Sequence, residues 1–274
     1  MTVLLPSGET VPALGMGTWR MAEDPSRRDA EIAALRTGLD LGLTLVDTAE
    51  MYGSGASEEL VGEALGDRRD EVFLVSKVLP SHASAAGTVR ACEASLRRLG
   101  TDRLDLYLLH WRGSVPFAET LEGFAALLEA GKIRHWGVSN LDLGDMQELT
   151  ALSDACQTNQ ILYNLSRRGP EHDLLPWQVS AGIPVMAYSP VEQGRLLDSP
   201  ALAAVAARHD ATPAQAALAW VLRRPQVCAI PKAGTVEHAR ENARAVELAL
   251  TAEDLAELDR AFPPPQGPSP LEML

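Results

Sequence analysis

The sequence predicts an α/β fold, a (β/α)8 TIM barrel that occupies residues 1–274 as a single domain. Two observations support this prediction. Eight short apolar runs of strand character alternate with longer amphipathic runs of helical character, the order expected of parallel strands joined by helical crossovers. The chain has 274 residues, close to the roughly 250 that such a barrel typically uses.

The predicted elements follow from hydrophobic periodicity. Phe117, Leu121, Phe124, Leu127 and Leu128, for example, recur at helical spacing, which predicts one buried helix face. The predicted strands comprise residues 15–19, 43–48, 72–77, 104–110, 134–139, 156–160, 184–189 and 227–232. The predicted helices comprise residues 27–41, 57–66, 84–99, 117–130, 142–151, 173–181, 199–224 and 235–246.

Two further elements lie outside the eight units. A turn at Pro6-Ser7-Gly8 separates two short apolar pieces and predicts an N-terminal β-hairpin that caps the barrel floor. Thr251 precedes an amphipathic run with Asp254 three residues on, which approximates a capping box and predicts an extra C-terminal helix. The prolines of FPPPQGPSPLEML end that helix.

An open doubly wound sheet is the alternative arrangement of the same elements. That fold normally carries a glycine-rich phosphate loop after its first strand. Here Gly15-Met16-Gly17 is followed by Arg20 where the third glycine would stand, so the dinucleotide fingerprint is not met. The barrel is therefore favoured.

Composition and charge narrow the classes of function. The net charge of −13 argues against a nucleic-acid or anionic-membrane partner, because either would require a basic face. The N-terminus lacks a signal peptide's basic and apolar segments, and no apolar run approaches the roughly 20 residues of a membrane span. Cys92, Cys156 and Cys228 are scattered and odd in number, which favours reduced thiols. We expect a cytoplasmic monomer.

Four polar side chains stand at, or just beyond, the ends of successive predicted strands. Asp47, Lys77 and His110 fall at the ends of the second, third and fourth strands, and Tyr52 follows in the loop after the second. Because active groups of a barrel gather at the carboxyl ends of its strands, all four can converge on one rim. A nearby ammonium favours a phenolate and lowers the tyrosine pKa from its usual value near 10. This quartet can therefore protonate a carbonyl oxygen, with His110 orienting it.

Each of these residues also has a structural interpretation. Asp47 and Lys77 could be an ion pair of the barrel rim, Tyr52 a loop aromatic and His110 a core histidine. Their joint occurrence at successive strand ends favours catalysis. We predict no metal site, because the histidines and cysteines lack metal-ligand spacing, and no G-x-S-x-G elbow indicates a serine hydrolase.

The sequence also resembles the aldo-keto reductase family across nearly its whole length. The matching segments are GMGTW, DTAEMYG, VSK, LDLYLLHW, GKIRHWGVSN, TNQILYN, MAYSP and IPKAGTVEHAREN. The resemblance is strongest to bacterial members described as methylglyoxal reductases. It implies a (β/α)8 barrel that binds NADP(H) and reduces aldehydes or ketones, including small reactive dicarbonyls, by hydride transfer.

The resemblance also assigns roles to individual residues. Tyr52 would be the general acid/base, tuned by Lys77 and Asp47, and His110 would orient the carbonyl. In the cofactor set, Tyr188 would stack on the nicotinamide, and Ser139, Asn140 and Gln160 would bind its carboxamide. Backbone N–H groups of residues 194–196 would line the pyrophosphate, Lys232 would face the 2′-phosphate, and Glu241 and Asn242 would contact adenine. The whole cofactor set comprises Gly17, Thr18, Trp19, Ser139, Asn140, Gln160, Tyr188, Ser189, Gly194, Arg195, Leu196, Ile230, Lys232, His238, Glu241 and Asn242.

Two departures from the family pattern bear on cofactor choice. Ala233 stands where many relatives have serine or threonine, and His238 stands where many have arginine. Arginine stays charged, whereas histidine is mostly neutral at pH 7. We therefore predict a modest preference for NADPH over NADH that grows as the pH falls.

The remaining sequence features bear on the substrate. Trp19 and Trp111 flank the ends of the first and fourth strands, which places them with Tyr52 and His110 at the predicted substrate pocket. The loops around this pocket and the C-terminal tail are short, which predicts an open site for small aldehydes and dicarbonyls. Two other functions remain open: a cofactor-binding regulatory barrel with little turnover, and an aldolase or isomerase that uses Lys77 as a Schiff base.

Overall fold

Eight parallel strands close into a barrel in the computed structural model, which describes all 274 residues. Two hairpin strands precede them. The strands are β1 Thr2–Leu4 and β2 Thr10–Pro12 in the hairpin, then β3 Met16–Gly17, β4 Leu45–Asp47, β5 Phe73–Val78, β6 Leu104–Leu109, β7 Ile133–Ser139, β8 Asn159–Leu162, β9 Val185–Tyr188 and β10 Val227–Ala229. The barrel strands pair in chain order, and parallel bridges from Leu14 to Ala229 and from Gly17 to Lys232 join the last to the first. The predicted barrel is confirmed.

The helices cover the outside of the barrel. They are α1 Arg28–Asp40, α2 Ala56–Leu65, α3 Ala85–Leu99, α4 Phe117–Glu129, α5 Leu143–Leu152, α6 Leu174–Ala181, α7 Pro200–Arg208, α8 Pro213–Leu222, α9 Val236–Ala243 and α10 Ala252–Ala261. In α4, Phe117, Phe124 and Leu127 of the predicted face are buried and Leu121 is half-buried, whereas Leu128 is 38% exposed. None of the helices is both long enough and apolar enough to cross a membrane.

The single helix predicted over residues 199–224 is wrong, because two helices occupy this range. Asp210 adopts a positive φ of 49°, which breaks α7 from α8. Thr212 then caps α8 through a capping box with Gln215, and Pro213 takes the first helical position, where its missing N–H does no harm.

The hairpin and the extra helix occupy their predicted places. The Ser7 amide donates to Gln157 Oε1 at 2.9 Å, and His135 Nε2 lies 2.8 Å from Glu9 Oε2. Because Gln157 and His135 stand at the amino ends of their strands, the hairpin covers the floor of the barrel. The opposite, carboxyl end is left for a site.

Candidate active site

Lys77 Nζ is the centre of a buried polar cluster at the carboxyl end of the barrel. It donates to both carboxylate oxygens of Asp47 at 2.7 and 2.8 Å and to the Thr48 carbonyl at 2.8 Å. It also donates to Tyr52 Oη at 3.2 Å. An ammonium has three N–H donors, and these acceptors occupy all of them. Three of the four residues predicted from the strand ends are therefore in direct contact.

The turn after β4 brings Tyr52 back over Lys77. Tyr52 begins a 3-10 turn in which Gly53 and Gly55 have φ of 56° and 98°, the left-handed region that favours glycine. A Cβ at Gly55 would lie 2.6 Å from the Arg98 side chain. The turn places Lys77 Nζ 4.8 Å from the centre of the tyrosine ring, so the phenol and the ammonium stay together.

Burial dominates the electrostatics of the cluster. It raises the pKa of the Tyr52 hydroxyl well above 10, and the negative charge of Asp47 acts in the same direction. Burial also raises the pKa of Asp47 and lowers that of Lys77, while the attraction between the two charges opposes both shifts. The pKa of Tyr52 is thus raised, whereas the charge of Lys77 alone was expected to lower it. Tyr52 at rest is therefore a neutral phenol.

His110, which follows β6 directly, faces the same cavity as Tyr52. The two ring centroids are 5.9 Å apart in an edge-on arrangement, and Trp111 packs on the other side at 4.8 Å. Burial lowers the pKa of His110 to about 2, and the charge of Lys77 acts in the same direction. The Nδ1 atom of His110 is buried and has no hydrogen-bond partner, so it cannot reach a molecule in the cavity. Nε2 is therefore the ring nitrogen that can bind an oxygen there.

A cavity of about 620 Å³ extends from Tyr52 and His110 towards β10 and α9. Most of the predicted cofactor and substrate residues line it: Gly17, Trp19, Asp47, Tyr52, His110, Trp111, Ser139, Asn140, Gln160, Tyr188, Ser189, Gly194, Ile230, Lys232, His238, Glu241 and Asn242. Most of the catalytic and binding residues predicted from the sequence therefore line the same cavity.

A hydrogen-bond network fixes the ring of Tyr188 in this cavity. Its hydroxyl donates to Asn140 Oδ1 at 2.9 Å, and Asn140 Nδ2 donates to the Ser139 hydroxyl at 3.1 Å. Ser139 in turn donates to the Gln160 carbonyl at 2.8 Å, while Gln160 Nε2 donates to Asp47 Oδ1 at 2.8 Å. The wall around Tyr188 is thus tied to the Asp47–Lys77 pair.

Four predicted residues do not line the cavity. Lys77 is fully buried, so it acts on the cavity through the residues that it contacts there, Tyr52 and Asp47. Thr18 is buried against Ser57. Arg195 faces solvent and pairs with Glu192, its amide already donates within the turn, and Leu196 packs into the core. Of residues 194–196, only Gly194 lines the cavity, and its amide also donates within the turn, to the Val191 carbonyl at 2.9 Å.

Several lining residues were missed from the sequence. Met273 and Leu274 reach the cavity, so the tail covers part of a mouth that was expected to be open. Arg20 and Arg27 line its far end. No local motif marks these positions, because the C-terminal tail and the loop between β3 and α1 meet at the cavity only in the folded chain.

Glu50 was also not predicted as a site residue, and it differs from the lining residues because it positions the loop that carries Tyr52. Its carboxylate accepts from the Leu79 amide at 2.7 Å and lies 3.0 Å from His82 Nδ1. It therefore ties the loop that carries Tyr52 to the chain that follows Lys77. A glutamate between Asp47 and Tyr52 could have been singled out from the sequence, but its partners could not.

Backbone strain is concentrated around the same cavity. Seven of the eight non-glycine residues with positive φ lie in loops at the carboxyl ends of β3, β4, β7 and β9. Such conformations cost about 1–3 kcal/mol each and cluster at functional sites. The seven are Arg20, Ala22, Ser54, Asn140, Ser189, Glu192 and Gln193.

Known proteins resemble this chain over nearly its whole length. The aldo/keto reductase family model matches residues 13–262. Methylglyoxal reductase YeaE of Escherichia coli (strain K12) is 53% identical over 97% of this chain and 96% of that protein. Glyoxal reductase of Bacillus subtilis (strain 168) is 34% identical over 100% of this chain and 97% of that protein. The crystal structure of an aldo/keto reductase from Klebsiella pneumoniae in complex with NADP and acetate superposes with a TM-score of 0.97 at 52% identity, covering 100% and 99% of the two chains.

Proposed function

The chain belongs to the aldo/keto reductase family, and we propose that it is an NADPH-dependent reductase of small reactive aldehydes and dicarbonyls such as methylglyoxal. One observation carries the proposal. The Tyr52 phenol borders the cavity with its oxygen accepting from the buried Lys77 ammonium. Similarity to a methylglyoxal reductase and to a structure that contains NADP supports the substrate class and the cofactor.

The residues of the cavity fit NADP(H). A Cβ at Gly17 would lie 2.6 Å from the Ile230 carbonyl, so only glycine permits the cavity wall at this point. Tyr188 offers a fixed ring face, and Gln160 Oε1 has no partner within the chain, which suits a carboxamide. Lys232 supplies a cation at the far end. We infer that these residues hold the cofactor, which supplies a hydride when it is bound.

Tyr52 supplies the proton in this proposal. Because Lys77 donates to Tyr52 Oη, the hydroxyl's own proton is free for a carbonyl oxygen in the cavity. Loss of that proton leaves a phenolate beside an ammonium, which stabilises the charge. The neutral His110 orients the carbonyl through Nε2, and its low pKa keeps it uncharged throughout the working pH range.

The cavity walls support a small substrate. Trp19, Met51 and Trp111 line the cavity together with Tyr52, and so do Met273 and Leu274 of the C-terminal tail. The occupied donors of Lys77 disfavour a Schiff base, because amine attack would require breaking a buried ion pair.

A substrate panel tests the proposal. Purified protein should oxidise NADPH rapidly with methylglyoxal and glyoxal, and more slowly with bulky ketones. The measurement is the fall in absorbance of NADPH at fixed enzyme concentration. Tight NADPH binding without turnover on any carbonyl would instead indicate the regulatory barrel, and trapping by borohydride on Lys77 would indicate the aldolase.

The pH dependence of reduction follows from the two shifted groups. Reduction requires protonated Tyr52, whose pKa lies well above 10, and neutral His110, whose pKa is about 2. We expect kcat/KM for methylglyoxal at saturating NADPH to stay flat from about pH 6 to 9. A descending limb near pH 8 would mean that Lys77 lowers the Tyr52 pKa more than burial raises it.

A further inference from the structure

Three cationic side chains without an ion-pair partner line the far end of the cavity. They are Arg20, Arg27 and Lys232, in a protein whose net charge is −13. Most other arginines pair with a carboxylate, as Arg28 does with Glu63 at 2.7 Å. The nearby carboxylates of Asp24, Glu23 and Glu31 form no ion pair with any of the three cations. Like charges gathered in this way repel one another, so the cluster favours an anion between them.

Arg27 follows β3 and Lys232 follows β10, the two strands whose pairing closes the barrel, and the two side chains approach the same point. A Cβ built on Gly234 would lie 2.9 Å from Arg27 Nη2 and 3.6 Å from Lys232 Cε. The two side chains therefore flank Gly234, next to the start of α9. Burial lowers the pKa of Lys232, the carboxylates of Glu31 and Glu23 oppose this shift, and the charges of Arg27 and Arg20 add to it.

Arg27 is the cation of this cluster whose side chain forms neither a hydrogen bond nor an ion pair, although its charge lies near the Asp24 carboxylate. Arg20 lies over the Trp19 ring at 4.6 Å, and its carbonyl accepts from Lys232 Nζ at 3.4 Å. The Arg27 guanidinium donates to no residue of the chain. Its backbone is nevertheless fixed, because it ends a 3-10 turn that Asp24 caps directly before α1. The exposed guanidinium that this fixed backbone carries can donate two parallel hydrogen bonds to a phosphate.

We propose that Arg27, together with Lys232, binds the 2′-phosphate of NADP(H) and sets the preference for it over NAD(H). The proposal rests on the proposed NADPH-dependent function. The proposal also bears on the two positions, Ala233 and His238, at which this chain departs from the family pattern. Arg27, in the loop after β3, supplies the permanent positive charge that the arginine of many relatives supplies at position 238. The preference is then larger than the modest one that His238 alone predicts.

The test is the affinity of Arg27→Gln for both dinucleotides, measured by quenching of tryptophan fluorescence at pH 8, where histidine is mostly neutral. We expect the Kd for NADP+ to rise about tenfold, as for loss of a charge-assisted phosphate contact, and the Kd for NAD+ to change less than twofold. The matched control is Arg28→Gln, which removes the neighbouring guanidinium on the surface and should change neither Kd. Adenosine 2′,5′-bisphosphate, a probe that carries the 2′-phosphate without nicotinamide, should lose affinity by the same factor as NADP+.

The outcomes separate this inference from the proposed function. An unchanged Kd for NADP+, or an equal loss for both dinucleotides, overturns the role of Arg27 while wild-type selectivity stays intact. A wild-type protein that binds NADP+ no better than NAD+ contradicts the proposed NADPH dependence itself. Unchanged NAD+ binding in the variant also establishes that it is folded.

Discussion

Replacing Tyr52 by phenylalanine should lower kcat for methylglyoxal reduction about a thousandfold, within the range that general acid catalysis contributes. The variant removes only the hydroxyl that accepts from Lys77 and borders the cavity. The ring that fills the space beside His110 remains, so the cavity keeps its shape. The Kd for NADPH, measured by fluorescence quenching, should therefore change less than twofold.

Tyr107→Phe is the matched control for this variant. Tyr107 is fully buried in β6, and its hydroxyl has no hydrogen-bond partner. The same chemical change at this position should leave both kcat and thermal stability near wild type. Full activity in Tyr52→Phe would show that another group supplies the proton, and loss of activity in both variants would point to a general effect of removing a buried hydroxyl.

The sequence was sufficient to predict most of the fold because parallel strands are buried on both faces. The run LDLYLLH became β6, in which all six residues Leu104–Leu109 are buried. The break between α7 and α8 was missed although Thr212, Pro213 and Gln215 form a start signal for α8. The apolar and alanine-rich pattern on both sides of this signal obscured it.

The residues of the candidate site could be predicted where a titratable side chain stands at the end of a predicted strand, and less well elsewhere. Asp47, Lys77 and His110 follow apolar runs, so their convergence could be deduced from barrel geometry alone. The direction of the Tyr52 pKa could not, because it depends on how completely the folded chain excludes water. The position of Arg27 beside Lys232 joins residues from opposite ends of the chain, and periodicity carries no information about such a contact.

Replacing Asp47 by asparagine should lower the free energy of unfolding by about 3–5 kcal/mol at neutral pH. The side chains of Asp47 and Lys77 are only 2% and 0% exposed, so the ammonium would lose its counter-charge without gaining water. Thr48 and Tyr52 would remain as acceptors, but both are neutral. Chemical denaturation of wild type and variant measures this difference.

The pH dependence of that loss identifies its origin. Burial lowers the pKa of Lys77 in the folded protein, and removing Asp47 removes the attraction that opposes this shift. The folded-state pKa then lies below the unfolded value of about 10.4, so the unfolded chain binds more protons. Stability of the variant should therefore rise with pH, and its deficit relative to wild type should shrink as the pH approaches about 10.

Combining Asp47→Asn with Lys77→Met should restore much of the lost stability. Replacing a buried ion pair by neutral groups of similar volume is often neutral or stabilising, whereas removing one partner is not. The double variant should therefore unfold at higher denaturant concentration than Asp47→Asn alone, and its stability should no longer rise with pH. A double variant as unstable as the single one would attribute the loss to packing around Gln160 and Thr48 instead of to the unpaired charge.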